Sequence, residues 1–314
     1  MAHRIFIDGA AGTTGLEIRE RLAGRRELQV VQLGEAERKD AAARARALNQ
    51  ADLVILCLPD DAARQAVSLI ENPHVRVIDA STAHRTAPGW VYGFPELEAC
   101  QRARIATGMR IANPGCWATA FIALVHPLVA AGSLPADFPL TANGISGYSG
   151  GGRSMIEEFE KPEAPNYTAT VARNYALTLS HKHIPEMQQH TGLAHPPVFA
   201  PFVGRFYRGM LVEVPLPLWA LPGKPDTAAL HGVLAAAYAG EKLVEVASLD
   251  EKPAGIDAEA LKGTNRMKLF VFGNDKSGQV RLVALLDNLG KGAGGAAVQN
   301  LNLMLGLPET AGLL

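Results

Sequence analysis

Short apolar runs alternate with amphipathic segments in the first third of the chain. The runs are rich in Ile, Val and Leu and are closed by Gly, Pro or Asp, which is typical of strands buried on both faces of a sheet. Strands that alternate with helices need crossover connections, and these favour a parallel, doubly wound sheet. The predicted strands are Arg4–Ile7, Leu28–Leu33, Leu53–Leu58 and Arg76–Ile78, and the predicted helices are Gly15–Leu22, Asp40–Leu48 and Asp60–Ile70.

The pattern changes after about residue 117. A helix predicted over Trp117–Val129 is followed by strand-like runs, which are separated by Gly- and Pro-rich loops and by one clear helix at Thr227–Ala239. Strands that follow strands favour a mostly antiparallel sheet in an α+β domain. A last helix is predicted at Gly294–Leu305. The strand-like runs are Leu140–Ser146, Val198–Phe206, Met210–Val214, Met267–Phe272 and Val280–Leu286.

Composition and charge exclude several classes of protein. Hydrophobic residues make up 48% and charged residues 19% of the chain, as in ordinary globular proteins, and the formal net charge is -1. Without a global basic field, we expect no binding to nucleic acid or to an anionic membrane surface. No apolar run reaches the roughly 18 residues of a membrane span, and the N-terminus lacks the pattern of a signal peptide. We therefore expect a soluble, cytoplasmic α/β protein.

A glycine-rich turn follows the first predicted strand and opens the first predicted helix. Its sequence is Gly9-Ala-Ala-Gly12-Thr-Thr-Gly15. Glycines at this spacing permit a tight turn and a close approach of backbone to a pyrophosphate, while the helix N-terminus supplies N–H groups and positive charge. A purely structural turn is the alternative, and we favour a dinucleotide site. Its predicted contacts are Gly9, Gly12, Thr13, Thr14 and Gly15.

The choice between NAD and NADP stays open at the end of the second predicted strand. Glu35 could accept a hydrogen bond from a ribose hydroxyl and so favour NAD. Arg38 and Lys39 follow it and could contact the 2′-phosphate of NADP. A solvated loop would explain all of these residues equally well.

The three cysteines differ in their predicted backbone setting. Cys57 lies in an apolar strand and Cys100 in a loop, which are settings of inert thiols. Three cysteines are too few for a disulfide framework, and because they lack CxxC spacing we predict no zinc site and no other metal site. Only the setting of Cys116 points to chemistry.

Cys116 follows the sharp turn of Pro114 and Gly115 and precedes a strongly helical segment, so we expect it at a helix N-terminus. A helix dipole and a cationic neighbour can lower the pKa of a thiol from about 8.5 to roughly 3.5–7.5. The resulting thiolate can form a thioester, which splits acyl transfer into two easier steps. An inert buried thiol is the alternative, and the chemistry alone does not decide between the two.

A cysteine nucleophile needs an acid or base, and the densest polar cluster of the chain is Ser180-His181-Lys182-His183-Ile-Pro-Glu186. Two imidazoles and a carboxylate could combine proton transfer with orientation of the ring. A polar surface loop would have the same composition. The candidates from this cluster are His181, His183 and Glu186.

Two further glycine-rich segments contain cationic side chains. Gly147-Tyr-Ser-Gly-Gly-Gly-Arg153 could hold a phosphate or carboxylate, or it could be a flexible connector with a solvated arginine. The segment from Asp287 to Asn302 has four glycines and a lysine at the start of the last helix, which favours anion binding there. Arg110 and Arg208 are additional candidates for anion contacts.

Taken together, these segments resemble the short-type N-acetyl-γ-glutamyl-phosphate reductases of the semialdehyde dehydrogenase family. The similarity extends over nearly the whole chain, and the order and spacing of the motifs are more specific than any one of them. The motifs are GAAGTTG at 9–15, DASTAHR at 79–85, NPGCWAT at 113–119, SGYSGGGR at 146–153, SHKHIPE at 180–186 and DNLGKGAGGAAVQNLN at 287–302.

The resemblance implies a Rossmann-like NADP-binding domain, from residues 1–117 and 287–314, and an α+β catalytic and dimerisation domain from residues 118–286. It implies NADP(H)-dependent conversion of N-acetyl-glutamyl 5-phosphate to the 5-semialdehyde and phosphate, in arginine biosynthesis, by a homodimer or homotetramer. Cys116 matches the nucleophile, and His181 is then favoured as acid/base with Glu186 supporting it, although His183 stays possible. Further predicted cofactor contacts are Arg38, Ser81 and Gly294, and predicted substrate contacts are Arg110, Asn113, Ser149, Gly150 and Arg153.

The sequence departs from this family at four positions. Lys182 stands where an arginine is expected, and Phe202 where a histidine is expected. Trp117 replaces the usual Tyr or Phe, and Ala118 replaces the usual Pro. These changes concern the substrate pocket more than the chemistry. Two other functions compete with the resemblance. An aspartate-semialdehyde dehydrogenase would share the cysteine and the glycine turn but fits the HKHIPE and GGGR segments less well. A non-catalytic NADP-binding regulator or redox sensor would keep the glycine turn and give no reason for the cysteine, the histidines and the arginine together.

Overall fold

The computed structural model describes residues 2–34 and 37–313, which form two structural units. The first unit comprises Met1–Pro95, Ala99–Gly115 and Ala293–Leu314, and the second comprises Glu96–Glu98 and Cys116–Gly292. Cys116 is therefore the residue at which the chain enters the main part of the second unit, and Gly292 is the residue at which it leaves.

Apolar strands alternate with helices in the first unit, as the sequence predicts. Its strands within the described residues are β1 (His3–Asp8), β2 (Leu28–Val31), β3 (Leu53–Leu56), β4 (Arg76–Asp79), β5 (Val91–Tyr92) and β6 (Arg110–Ala112). Its helices are α1 (Thr13–Leu22), α2 (Ala41–Gln50), α3 (Asp60–Ser68), α4 (Gln101–Thr107) and α9 (Gly295–Met304).

These strands form one sheet in the order β2-β1-β3-β4-β6-β5, and all neighbouring pairs are parallel. The predicted doubly wound parallel sheet is thus confirmed. All four residues of β3 are buried because helices cover both faces of the sheet, which explains its uninterrupted apolar sequence. Asp40 caps α2 by accepting hydrogen bonds from the N–H groups of Ala42 and Ala43, at 2.8 and 3.4 Å.

The second unit contains the remaining elements. Its strands are β7 (Thr141–Gly147), β8 (Ala172–Asn174), β9 (Val198–Gly204), β10 (Met210–Pro217), β11 (Val244–Val246), β12 (Met267–Asn274) and β13 (Gln279–Leu286). Its helices are α5 (Cys116–Ala130), α6 (Gly152–Glu160), α7 (Ile184–Thr191) and α8 (Thr227–Ala237), and a π-helical turn covers Gly290–Gly294.

The second sheet has the order β11-β12-β13-β10-β7-β9-β8. The β11–β12 and β7–β9 pairs are parallel, and the other neighbours are antiparallel, so the predicted α+β domain with a mostly antiparallel sheet is confirmed. Helix α5 is apolar around its whole circumference because it is buried among the sheet, α7 and α8.

Two segments that the sequence suggested as loops are helical. The GGGR segment runs into α6, so Arg153 lies in the first turn of a helix and not in a flexible connector. The segment after His183 forms α7, which has Pro185 in its first turn and ends at Gly192 in the left-handed region, with φ of 78°. The candidate histidines therefore precede a helix. None of the helices in the described part of the chain combines the length and apolar character needed to cross a bilayer.

Candidate active site

The first glycine-rich turn is built by close backbone contacts. Gly9 has a φ of 88°, and a Cβ there would lie 2.2 Å from the carbonyl oxygen of Cys57. A Cβ on Gly15 would lie 2.6 Å from the carbonyl oxygen of Gly9. Only glycine fits at either position, because any side chain would push the turn away from β3 or unwind the start of α1.

Gly12 is different from its two neighbours in the motif. Its φ is -78°, and a Cβ there would make only an ordinary contact of 3.5 Å with Gly9. Gly12 precedes α1, whose first turn contains no acidic side chain. The fold therefore tolerates a side chain at Gly12, and the space in front of it, at the N-terminus of a helix, suits a phosphate group. Thr13 and Thr14 are the first residues of that helix.

Two buried carboxylates lie at the carboxyl ends of β1 and β4. Asp8 pairs with Arg44 at 2.8 Å. Asp79 accepts hydrogen bonds from the hydroxyl and the N–H of Ser81, at 2.7 and 2.9 Å, and contacts His84 Nδ1 at 2.6 Å. The predicted cofactor residue Ser81 thus lies at the edge of the sheet where ligands bind in such folds, with its hydroxyl directed at Asp79.

The residues that bear on the cofactor's ribose lie after β2. Arg38 is exposed on a short 3₁₀ turn, Glu37–Lys39. Glu35 and the side chain of Lys39 lie outside the described residues. Arg38 is therefore exposed on the turn after β2, and its contact with a 2′-phosphate stays a prediction.

Asn113 and Arg110 have structural contacts in the first unit. The amide of Asn113 donates to the carbonyl oxygen of Ala293 at 2.9 Å and accepts from Asn300 at 3.0 Å. Arg110 lies at the amino end of β6, where its guanidinium donates to the carbonyl oxygen of Val75 at 2.8 Å. This is the sheet edge opposite to Asp79 and Ser81, so the placement of Arg110 does not support its predicted substrate contact.

In the second unit, Cys116 is the first residue of α5 and is half-buried. Gly292 packs directly on it, since a Cβ on Gly292 would lie 2.6 Å from the Cβ of Cys116. The predicted position of Cys116 at a helix N-terminus is thus what the structure has. The main-chain N–H groups of the first turn of α5 have no carbonyl partner within the helix and suit a developing oxyanion.

Aromatic rings connect Cys116 to the histidine segment. The ring of Trp117 contacts Phe199 edge-on at 5.1 Å, and Phe199 lies 4.9 Å from the ring of His181. The ring of Tyr175 lies 6.0 Å from His181. His183 lies 4.8 Å from His181 and is buried at the start of α7. The structure therefore brings Cys116, Tyr175 and both candidate histidines into one cluster.

Tyr175 is the residue of this cluster that sequence reasoning missed. Burial, and then the negative charge of a Cys116 thiolate, raise the pKa of Tyr175 well above its usual range, while a hydrogen bond from the Trp117 indole lowers it. Tyr175 consequently stays protonated and presents an O–H donor near the thiol. Nothing in the segment Arg173-Asn-Tyr175 distinguished this tyrosine from an ordinary strand residue.

The hydrogen bonds of His181 fix its tautomer. Its Nδ1 accepts the main-chain N–H of His183 at 3.2 Å, so in the neutral ring the proton lies on Nε2. His181 is half-buried, whereas Lys182 between the histidines is exposed. Glu186 is fully buried in the first turn of α7. The imidazole of His181 contacts both Tyr175 and Phe199.

The second glycine-rich turn binds to the segment after β13. Ser149 is buried and accepts a hydrogen bond from the amide of Asn288 at 2.9 Å. Gly150 lies near this contact, with Asn288 Nδ2 3.4 Å from the position of a Cβ. Arg153 instead projects away, with 83% of its side chain exposed and an ion pair to Glu157 at 3.1 Å. Its placement does not support a substrate contact.

Among the candidate arginines, Arg208 is oriented by a buried carboxylate. Its Nε donates to the buried carboxylate of Asp287 at 2.6 Å, and 20% of the side chain is exposed. Asp287 also accepts hydrogen bonds from the N–H groups of Leu289 and Gly290, at 2.8 and 3.1 Å. A guanidinium oriented in this way is a better candidate for an anion contact than Arg153 or Arg110.

The lysine of the last glycine-rich segment is paired with a buried carboxylate, so its placement does not support the anion binding that the sequence favours there. Lys291 contacts both carboxylate oxygens of Glu96 at 2.8 Å, and 1% of its side chain is exposed. The neighbouring glycines allow close packing, since a Cβ on Gly290 would lie 2.0 Å from the carbonyl oxygen of Thr264. Gly294 is buried at the end of the π-helical turn and precedes α9, at whose start it was predicted to contact the cofactor.

Two of the departures from the family pattern can now be placed. Trp117 is buried and its indole is hydrogen-bonded to Tyr175, so it belongs to the site. Phe202 lies on β9 three positions after Phe199, and it is therefore on the opposite face of the strand, where 42% of it is exposed. The change at Phe202 does not touch the histidine cluster.

A parallel sheet with a glycine-rich turn in one unit, and a cysteine at a helix start beside tyrosine and histidine in the other, are compatible with a dinucleotide-dependent enzyme. Residues 4–105 match the NAD-binding domain of the semialdehyde dehydrogenases, and residues 116–288 match the dimerisation domain of semialdehyde dehydrogenase. The chain belongs to the semialdehyde dehydrogenase family, which confirms the resemblance and supports a nicotinamide dinucleotide as cofactor.

Full-length relatives narrow this similarity. The chain is 53% identical to N-acetyl-gamma-glutamyl-phosphate reductase 2 of a Nostoc species, over 99% of both chains. It is 56% identical to the N-acetyl-gamma-glutamyl-phosphate reductase of Brucella anthropi, over 98% of this chain and 99% of the relative. A probable aspartate-semialdehyde dehydrogenase from Pseudomonas aeruginosa has a similar fold, with a TM-score of 0.74 over 97% of this chain and 99% of that one, at 17% identity.

Proposed function

We propose that the chain is an NADP-dependent reductase that converts N-acetyl-glutamyl 5-phosphate to N-acetyl-glutamate 5-semialdehyde and phosphate, a step of arginine biosynthesis. The observation that carries the proposal is the cluster of Cys116, Tyr175 and His181 at the start of α5. The names of relatives at 53% and 56% identity specify the substrate. The aspartate-semialdehyde dehydrogenase alternative is supported only by a shared fold at 17% identity.

In the proposed reaction, the Cys116 thiolate attacks the acyl-phosphate carbon, the C–O bond to phosphate breaks, and a thioester forms on Cys116. NADPH, when bound by the first unit, would supply the hydride for the reduction of this thioester. The thiohemiacetal oxyanion then collapses to the aldehyde and regenerates the thiolate. Main-chain N–H groups of α5 and the Tyr175 hydroxyl stabilise the oxyanion, and the Nε2–H of His181 donates a hydrogen bond to the departing phosphate, which takes up its proton from water.

The cofactor would be bound by the first unit. Gly9 and Gly15 shape the turn, Gly12 leaves room for the pyrophosphate, and Thr13 and Thr14 contribute N–H groups at the start of α1. Arg38 would bind the 2′-phosphate that distinguishes NADP from NAD. Ser81 and Gly294 would complete the cofactor contacts.

The substrate would be bound by the second unit. Arg208, oriented by Asp287, would hold a carboxylate or phosphate of the substrate, and Ser149 and Gly150 would lie beside it. Glu186 would support the histidines from the first turn of α7, with His183 as the alternative acid/base. Asn113 would act indirectly, through its contacts to Ala293 and Asn300.

We further propose that the two structural units are the cofactor-binding domain and the catalytic and oligomerisation domain. The description of the matched domain at residues 116–288 supports self-association. The proposed assembly is a homodimer or homotetramer in the cytoplasm, and sedimentation velocity at several protein concentrations distinguishes these from a monomer.

The decisive assay follows NADP+ reduction by absorbance in the reverse direction, with N-acetylglutamate semialdehyde and phosphate. We expect phosphate-dependent reduction that is faster than with NAD+, and little reaction with aspartate semialdehyde tested in parallel. Phosphate-independent reduction, or a preference for aspartate semialdehyde, would contradict the proposal.

A further inference from the structure

A buried ion pair in the second unit has no role in the reaction as described so far. Lys291 and Glu96 make a two-pronged contact with both Nζ–O distances at 2.8 Å, and their side chains are 1% and 0% exposed. Withdrawing two opposite charges from water carries a desolvation cost that their attraction offsets only partly. Such a pair is weak evidence for a role in stability, so we consider a different role for it.

The position of Lys291 in the chain suggests an answer. It lies in the π-helical turn Gly290–Gly294, between Gly290 and Gly292. Neither position has room for a side chain, because other atoms pack closely against both. The Cα of Gly290 faces the carbonyl oxygen of Thr264, and that of Gly292 faces the Cβ of Cys116, with 2.0 and 2.6 Å to the position of an added Cβ. The ion pair therefore anchors the middle of a turn that presses on the reactive cysteine.

The turn is also held at its beginning. The carboxylate of Asp287 accepts N–H groups of Leu289 and Gly290, and its carbonyl oxygen accepts the N–H of Gly292 at 3.0 Å. Beyond Lys291, no side chain of the turn can add a polar contact, because the other residues of Gly290–Gly294 are glycine and alanine. Lys291 is thus the side-chain anchor of the segment that leaves the second unit just after Gly292.

We infer that the Lys291–Glu96 ion pair is a positioning device for Cys116. By fixing the π-helical turn, it keeps Gly292 against the Cβ of Cys116 and so holds the thiol in one orientation at the N-terminus of α5. The position of a reacting atom must be held within a fraction of an ångström to preserve the reaction rate. The other residues of this turn are glycine and alanine, so the buried ion pair of Lys291 is what fixes its position.

A test must separate this role from simple stability. Removing one partner leaves an unpaired buried charge, and single variants therefore lose stability for reasons unrelated to Cys116. Replacing both partners by apolar residues of similar volume, as in Lys291→Met/Glu96→Leu, removes the anchor without stranding a charge. The matched control is Lys262→Met/Glu259→Leu, which removes an exposed pair with an N–O distance of 3.3 Å.

The readout is the rate of iodoacetamide alkylation of Cys116 from pH 5 to 10, followed by mass spectrometry of its peptide. This measurement does not depend on the proposed substrate, so it stands even if the proposed function fails. Charged and titratable groups that bear on the result are Tyr175 near the thiol and Tyr238, whose pKa burial and then the charge of Glu96 raise. Both tyrosines are retained in the variants, and Glu96→Leu removes one of the causes of the raised pKa of Tyr238.

For the double variant we expect a melting temperature near that of the parent, a neutral-pH alkylation rate at least about 10-fold lower, and a midpoint shifted toward the value of a free thiol. The control pair should leave rate and midpoint unchanged. A folded double variant with the parent's alkylation profile would overturn the inference.

A second variant keeps the inference testable if the double variant does not fold. Gly292→Ala places a methyl group against the Cβ of Cys116 while keeping the ion pair, and it should lower the alkylation rate in the same way. Gly232→Ala on α8, where an added Cβ meets nothing within 4 Å, is its control. An unchanged profile in Gly292→Ala would show that this contact does not position the thiol, and the inference would fall.

Discussion

Two glycine-rich turns of this molecule each pack on a cysteine, and the proposed function uses only one of these cysteines. In the first unit, Gly9 lies on the main-chain carbonyl of Cys57, at the end of β3. In the second unit, Gly292 lies on the Cβ of Cys116, at the start of α5. At Cys57 the turn packs on the main chain, and Gly12 of the same turn is exposed. At Cys116 the turn covers the side chain itself.

The two thiols differ in their electrostatic surroundings. Burial, and then the carboxylates of Asp79 and Asp8, raise the pKa of Cys57 to about 12, so this thiol stays protonated and unreactive near neutral pH. Cys116 has a helix N-terminus, a tyrosine O–H and a histidine around it. The comparison teaches that a glycine turn beside a cysteine does not by itself make a reactive site, because the charges around the sulfur decide its state.

The largest expected effect separates the two cysteines directly. Cys116→Ser should lower kcat by at least about 10³-fold, since a serine hydroxyl cannot replace a thiolate that forms the thioester. Cys57→Ser should stay within about 2-fold of the parent. Steady-state NADP+ reduction measures both variants. Comparable losses in the two would remove the distinction on which the comparison depends.

The next effect concerns the donor beside the thiol. Tyr175→Phe should lower kcat by about 10- to 100-fold with little change in KM for NADPH, because a hydrogen bond to a charged group is worth about 1.5–3 kcal/mol. Tyr167→Phe, which removes the hydroxyl of a partly exposed ring, serves as the control. Unchanged kcat in Tyr175→Phe would mean that its hydroxyl does not contact the reacting atoms.

A third variant tests whether Gly12, the exposed glycine of the first turn, serves cofactor binding. Gly12→Ala should raise KM for NADPH about 10-fold and leave the melting temperature almost unchanged, because its Cβ meets the protein only at 3.5 Å. Gly15→Ala, whose Cβ would lie 2.6 Å from a carbonyl oxygen, should instead lower the melting temperature. Equal losses of stability in both would indicate that Gly12 serves the fold and not a ligand.

The smallest effect is the pH dependence of stability that Cys57 contributes. Its folded-state pKa of about 12 lies above the roughly 8.5 of an unfolded chain, so the folded state holds the proton more tightly. The contribution is complete below about pH 8.5 and is lost as pH rises toward about 12. Between pH 8 and roughly 9.3 the parent should lose about 1 kcal/mol of unfolding free energy that Cys57→Ser keeps, as measured by urea unfolding. Parallel pH profiles would show that the thiol of Cys57 is not desolvated in this way.

Much of the fold follows from local sequence. The apolar runs, the glycine turn and the helix after Pro114 and Gly115 indicated their elements because each depends on neighbouring residues. The short strands β5, β6, β8 and β11 have two or three residues each and no pattern of their own, since their pairing partners lie far away in sequence. Helix α7 was missed because the polar residues that precede it, together with Pro185 in its first turn, read as a loop.

The site was predictable only in part, for a related reason. Cys116 and His181 stand in motifs, whereas Tyr175 becomes significant through contacts with Trp117 and His181 that only the folded chain brings about. The arginines show the converse. Arg153 and Arg110 were predicted from their neighbours in sequence, but the partner that orients an arginine, Asp287, lies 79 residues from Arg208.

The central claim is that Cys116 carries the substrate as a thioester, and rapid-quench mass spectrometry tests it most directly. The enzyme is mixed with N-acetyl-glutamyl 5-phosphate in the absence of NADPH, quenched in acid and digested. The account predicts an N-acetylglutamyl adduct on the Cys116 peptide that disappears when NADPH is added before the quench. An active enzyme that shows no adduct, or an adduct on Cys57 or Cys100 instead, would contradict it.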